Sequence, residues 1–211
     1  MKIALIGATG FIGSAILSEA LNRGHEVTAI ARSVEKLPQH ANLTAKAGNV
    51  TDETRAAALF AGHEAVICSF APRGDADQYN GFINTYQTII SAVKRAGVKR
   101  LLVVGGAGSL EVNGVQVVDG GGIPEAWKAG VLGLREVLYT LRKETELDWV
   151  FLSPSAMIEP GERTGKFRLG HDDLLVAEDG KSHISVADYA VAMIDELENP
   201  SHSRQRFTVG Y

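Results

Sequence analysis

Gly7-Ala8-Thr9-Gly10-Phe11-Ile12-Gly13 stands between two stretches of different periodicity. Before it, Lys2–Ile6 is a short run rich in Ile and Leu, the pattern of a strand buried on both faces. After it, Phe11–Asn22 carries apolar residues at 12, 15, 16, 20 and 21, which is helical spacing, and Gly24 follows as a stop. Each glycine of the turn answers a different steric demand. The first takes backbone angles that other residues adopt only at a cost. At the second a side chain would block a pyrophosphate, and the third lets the helix pack close to the strand. Free N–H groups at the positive end of the helix then face the phosphates. The spacing G-x-x-G-x-x-G on a strand–turn–helix therefore predicts a dinucleotide site at Gly7, Thr9, Gly10, Phe11, Ile12 and Gly13.

Outward from the turn the elements alternate. Glu26–Ala31 and Leu43–Ala47 read as the second and third strands, and Glu53–Phe60 as a short helix begun at Thr51 or Asp52 and stopped near Gly62. Ala65–Ser69 is a fourth strand, Tyr79–Ala96 a long helix ending at Gly97, and Arg100–Val104 a fifth strand stopped by Gly105-Gly106. Glu125–Thr145 is the next helix and Asp148–Leu152 a sixth strand ending before Pro154. Val186–Glu198 is the last helix, with Ser185 and Asp188 in capping-box spacing, and Arg206–Val209 a closing strand. Strand and helix in alternation with short links predict an α/β fold, a doubly wound parallel sheet of Rossmann type. It is expected to be a single domain over residues 1–211, with a small C-terminal portion on the substrate side. Two irregular regions, Pro72–Gly81 and Ala107–Pro124, follow strand C-termini, where such sheets place their ligands.

The bulk numbers narrow the class. With 211 residues, 45% of them apolar, the chain can bury a large core without a staple. Its 21 basic and 25 acidic residues are mixed along the chain, for a formal net charge of -4. No basic block marks nucleic acid or an anionic membrane as a partner. No stretch approaches the roughly 18 apolar residues of a membrane span. The run after Met1-Lys2 stops at Gly7, too short for a secretory signal. Cys68 is the lone cysteine and fits a reducing compartment. A cytoplasmic monomer or homodimer acting on a small molecule is expected.

The end of the second strand bears on which nicotinamide cofactor is bound. NAD-specific sites place an acid there, about 20 residues past the turn, to bind the ribose hydroxyls. Here Ala31 is followed by Arg32 and Ser33. A guanidinium suits a 2′-phosphate and can stack on adenine, Ser33 can donate a hydrogen bond, and Lys36 is a possible second cation. NADPH is therefore predicted over NADH.

Gly7–Gly13, Gly24-His25-Glu26-Val27 and Ala31-Arg32-Ser33 together resemble the atypical short-chain dehydrogenase/reductase proteins. Gly48-Asn49-Val50-Thr51-Asp52, Ala96-Gly97-Val98-Lys99-Arg100 and Ser185-Val186-Ala187-Asp188-Tyr189-Ala190 extend the resemblance over nearly the whole chain. Within that superfamily the chain looks like the biliverdin reductase B-like, NADH-flavin reductase-like group. The resemblance implies that Gly48, Asn49 and Val50 lie near adenine. It implies that Ser69, Phe70 and Ala71 line the cofactor, and that Pro154, Ser155 and Ala156 lie beside the nicotinamide.

The superfamily's tyrosine–lysine pair, four residues apart, falls by the same resemblance near the start of the helix after strand five. Those positions are Trp127 or Lys128 and Val131 or Leu132 here, so the pair is missing. Tyr139 and Lys143 have the spacing, but near the C-terminal end of their helix, and read as a helix-face pair. Ser109 follows strand five, where the superfamily carries an active-site serine or threonine, and is the candidate proton donor. Nearby Gly105 and Gly106 let the backbone approach a ligand. Pro72, Arg73 and Tyr79 on the first irregular loop, Lys128, and Met157 are expected on the substrate side. His171 is a further possible acid. The six histidines at 25, 40, 63, 171, 183 and 202 are scattered and predict no metal site. The leading expectation is an NAD(P)H-dependent reductase of a planar conjugated acceptor such as a flavin, quinone or biliverdin. The alternatives are a dinucleotide-sensing protein resembling NmrA-like regulators, and an epimerase or dehydratase.

Overall fold

The structure is a computed structural model that describes residues 1–72 and 77–211. The strand before the glycine turn, β1 (Lys2–Ile6), lies between β2 (Glu26–Ala31) and β4 (Ala65–Cys68), parallel to both. Beyond β2 lies β3 (Leu43–Ala47). Beyond β4 come β5 (Arg100–Val104), β8 (Asp148–Pro154) and β12 (Gln205–Gly210), again parallel, and β10 (Arg168–Gly170) closes that edge antiparallel. The order is β10-β12-β8-β5-β4-β1-β2-β3. The chain winds outward from β1 in one direction, then restarts at β4 in the other. The crevice between the C-terminal ends of β1 and β4 is thus the topological switch point.

Alternation along β1 explains why both faces are covered. Ile3 and Leu5 point into a core shared with α1 (Phe11–Asn22) and α5 (Val186–Glu198). Ala4 and Ile6 point into a second core with α2 (Glu53–Phe60), α3 (Gln78–Arg95) and α4 (Glu125–Leu141). Each fully buried Leu or Ile of these layers contributes about 1.5–3 kcal/mol of transfer free energy. β3, by contrast, is mostly exposed and carries Lys46, as suits an edge strand.

Element ends differ from the sequence expectation where side chains take over the backbone. α4 stops at Leu141, about a turn before Thr145, because the Glu144 carboxylate accepts the Glu146 N–H at 2.6 Å and the Leu147 N–H at 3.3 Å. β8 runs on to Pro154 because β12 pairs with it up to Val209. α3 begins at Gln78, capped by Asp77, whose carboxylate accepts the Asn80 N–H. The stretch read as irregular, Ala107–Pro124, contains a hairpin of β6 (Glu111–Val112) and β7 (Val115–Gln116). Its Asn113-Gly114 turn has both φ angles positive, at 53° and 80°, a conformation that Asn and Gly tolerate. β9 (Met157–Glu159) and β11 (His183–Ser185) pair in a second short sheet the sequence reading did not foresee. Among the described residues no helix is long and apolar enough to cross a membrane.

Candidate functional site

The glycine turn is built as the spacing demands. Gly7 sits at φ 79°, and a Cβ there would lie 2.3 Å from the Ser69 carbonyl oxygen. The Gly10 N–H donates to the Gly7 carbonyl at 2.9 Å, and Ser14 N–H to the Gly10 carbonyl at 2.8 Å. No side chain caps α1 at Gly10, and no acid stands in its first turn. Asp52, Asp77 and Ser185 do cap α2, α3 and α5. The first amides of α1 are thus left for an anion, at the positive end of the helix.

A cavity of about 160 Å³ opens at this turn. Gly7, Thr9 and Gly10 form one wall and Arg32 stands at the end of β2. Gly48, Asn49 and Val50 after β3 and Ser69, Phe70 and Ala71 after β4 complete it. These are the residues the sequence assigned to the dinucleotide, and the donor set, open amides plus one exposed guanidinium, fits phosphates. Asn49 Oδ1 accepts the Thr51 N–H at 3.1 Å, which holds the loop after β3 in its turn.

Other expected cofactor positions have different surroundings. Phe11 is exposed on the first turn of α1, while Ile12 packs against the core under α1. Gly13 does steric work, since its Cβ would meet the Gly7 carbonyl oxygen at 2.0 Å. The Ser33 hydroxyl donates to the Glu35 carboxylate on the exposed loop after β2. Lys36 lines a separate cavity between α1 and residues 36–40. Gly105 is required by packing, because its Cβ would clash with the Phe151 ring at 2.3 Å. Ser155 is buried and donates to the Val209 carbonyl at 3.0 Å. Pro154 ends β8 in register with Val209, and the Ala156 N–H donates to Ser182 Oγ at 3.0 Å.

A second cavity, about 320 Å³, shares the Ala71 wall with the first. Its other walls are Pro72, Phe82, Phe151 and a stripe of α4, with Gly106 at the end of β5. That stripe is Trp127, Val131, Leu134 and Arg135, the i, i+4, i+7, i+8 face of a helix. The phase of α4 is set by two glycines at the α3 contact. A Cβ on Gly133 would lie 2.8 Å from the Tyr79 carbonyl oxygen, and one on Gly130 3.0 Å from Gln78 Oε1. Trp127 and Val131, two of the positions to which the resemblance assigns the superfamily pair, therefore stand in this wall. Lys128, one residue on, points aside. It is half-exposed, with Glu125 Oε2 at 3.9 Å, and is not among the residues that line this cavity.

Tyr79 and Met157 are exposed and lie outside both cavity walls, and Arg73 falls outside the described residues. Tyr139 exchanges hydrogen bonds with Gln116 at 3.1 and 3.2 Å, consistent with a helix-face role. The tyrosines beneath the site are locked by burial. Tyr86 donates to the Phe70 carbonyl at 3.1 Å and Tyr189 to the Leu152 carbonyl at 2.7 Å. Desolvation holds both phenols well above their ordinary range, and pushes the Cys68 thiol up to about 11. Ser109 does line the second cavity, yet is buried, with Oγ accepting from Arg206 Nη1 at 3.3 Å and its carbonyl from Nη2 at 3.2 Å. Arg206 is itself buried and pairs with Asp172. The sequence reading missed Arg135, Gln78 and Phe82 in this wall. The eight-residue step from Trp127 to Arg135 was the available signal.

Fold and cradle together define an NAD(P)-binding protein with an oxidoreductase fold of Rossmann type. The chain belongs to the NAD(P)H-binding family, whose pattern it matches over residues 7–197. It is 39% identical, over 99% of its length, to the uncharacterized protein YwnB of Bacillus subtilis (strain 168), of which it covers 98%. A crystal structure from Bacteroides thetaiotaomicron, provisionally named an epimerase, is 51% identical with a TM-score of 0.94, covering 100% of this chain and 96% of that one. One from Streptococcus pneumoniae TIGR4, provisionally named an NADH-flavin reductase, is 33% identical with a TM-score of 0.87, covering 100% and 99%.

Proposed function

We propose that this chain is an NADPH-preferring reductase of a planar conjugated acceptor. The observation that carries the reading is the aromatic-walled cavity beside the dinucleotide cleft, lined by Trp127, Phe82 and Phe151 and, among the described residues, by no carboxylate, phenol or imidazole. An exposed indole at the mouth of an apolar cavity offers a stacking face to a flat ring system.

A nicotinamide bound in this cleft would supply a hydride, two electrons, to the acceptor. The open amides of α1 hold the pyrophosphate and Arg32 the adenosine 2′-phosphate. Pro72, Phe82 and Phe151 keep the walls dry, and Trp127 orients the acceptor face. Arg206 draws charge from Ser109 Oγ, leaving that hydroxyl's proton for the reduced acceptor, with water restoring it. An NAD-dependent epimerase or dehydratase needs a base poised to take a substrate hydroxyl proton as the hydride leaves. Ser109 is the one hydroxyl among the described residues lining this cavity, and no carboxylate, phenol or imidazole joins it.

The test is to mix protein and NADPH and follow the 340 nm absorbance while adding FMN, FAD, quinones or biliverdin. Turnover with a flat acceptor supports the reductase. Tight NADPH binding without turnover of any acceptor would replace it with a cofactor sensor.

A further inference from the structure

We infer that the cavity walled by α4 selects planar acceptors carrying an anionic group, phosphate or carboxylate, and that Arg135 holds that group. This deepens the reductase reading and rests on it. Among the described residues lining the cavity, Arg135 is the one charged side chain, and no acid balances it there. A guanidinium only 18% exposed against an apolar wall is poorly hydrated, so its field on an incoming anion is weakly screened.

Its internal partners leave it partly unused. Gln116 Oε1 and both Asp119 oxygens sit on Nη1, at 3.1, 3.1 and 2.9 Å. Nε is buried with no hydrogen-bond partner among the described residues. The Tyr139 ring lies beneath the guanidinium, 5.9 Å from centroid to Cζ, and fixes its plane. Asp119 is 54% exposed on the rim beside Gly120, so water competes for its carboxylate. It acts as an internal competitor that a ligand anion, inside the cavity and less hydrated, can displace.

Spacing sets the ligand. Trp127 and Arg135 share one helix stripe, roughly 12 Å apart along the axis at 1.5 Å per residue. That separation suits a two- or three-ring system stacked on the indole with a short acidic tail.

The experiment compares binding within matched pairs, on protein saturated with NADP⁺ so that the pyrophosphate cradle is filled. FMN against riboflavin differs by a phosphate; anthraquinone-2-carboxylate against 2-(hydroxymethyl)anthraquinone differs by a carboxylate. Fluorescence quenching or calorimetry should give the anionic member of at least one pair about a tenfold tighter Kd, the size of one charge-assisted hydrogen bond. Which pair splits identifies phosphate or carboxylate. Arg135→Gln should erase the difference while riboflavin affinity stays within about twofold, and Arg135→Lys should keep part of it. Asp119→Asn should widen it about threefold by removing the competitor, an effect a purely structural arginine would not produce. Equal binding within both pairs, or a difference that survives Arg135→Gln, overturns the anion anchor and leaves the reductase reading standing. Failure of all four compounds to bind removes the acceptor site itself.

Discussion

Gly13 lies so close to Gly7 that a Cβ on Gly13 would sit 2.0 Å from the Gly7 carbonyl oxygen. The obstructing atom is backbone, and the Gly7 carbonyl is itself fixed by the Gly10 N–H. Gly13→Ala must therefore push α1 away from β1. It is expected to lose about 3 kcal/mol, the upper end of the overpacking range, and to weaken NADPH binding with it. Urea unfolding and a nucleotide titration check both, and a variant with unchanged stability and affinity would contradict the close approach.

Arg32 is exposed at the end of β2, facing the cleft. Arg32→Ala should weaken NADPH by about tenfold and NADH by less than about twofold, since only NADPH offers the 2′-phosphate. The ratio of the two dissociation constants is the readout. If it does not move, discrimination lies elsewhere in the cleft.

Trp127 is the most exposed large apolar side chain of the described residues, at 66%, so its truncation leaves the core alone. Trp127→Ala should raise KM for flat acceptors about five- to tenfold, the worth of an aromatic stack, with the NADPH Kd and the melting temperature nearly unchanged. A fall in melting temperature instead would make the indole a packing residue.

Asp188 is buried at the first turn of α5. Burial alone would raise its carboxyl, but hydrogen bonds from the Thr164 hydroxyl at 2.5 Å, the Thr164 and Gly165 N–H at 2.8 Å and the Tyr211 hydroxyl at 2.7 Å outweigh it. Its pKa lies below the ordinary 3.8. A folded pKa below the unfolded one adds stability that is complete above the unfolded value and is lost as pH falls through the folded one. Asp188→Asn should therefore cost about 3 kcal/mol near pH 7 and progressively less below about pH 4. Urea midpoints across that range test the slope, and a pH-independent gap would argue for packing alone.

Local patterns carried much of the outcome. The Gly7–Gly13 turn, the alternation of strands and helices, and ten residues lining the first cavity were legible because sterics at a tight turn and the burial of a strand are matters of neighbouring residues. The Asn113-Gly114 hairpin was equally local and was overlooked, its strands being two residues long. Ser33, Lys128 and Ser155 each have an internal partner that the sequence did not show, for a shared reason. Position in sequence located their loops or helix, but not the partner each side chain would find: Glu35, Glu125 and Val209.

The sequence by itself determined that the chain is a doubly wound dinucleotide-binding fold with a cation, not an acid, after β2, because period, glycine sterics and charge are properties of adjacent residues. Only the tertiary structure decided which face of α4 looks into the second cavity. That depends on how closely Gly130 and Gly133 let α4 approach α3, some fifty residues away in the chain. The same approach sets Trp127, Val131 and Arg135 along the cavity wall and leaves Lys128 off it, and so decides what chemistry the wall can offer.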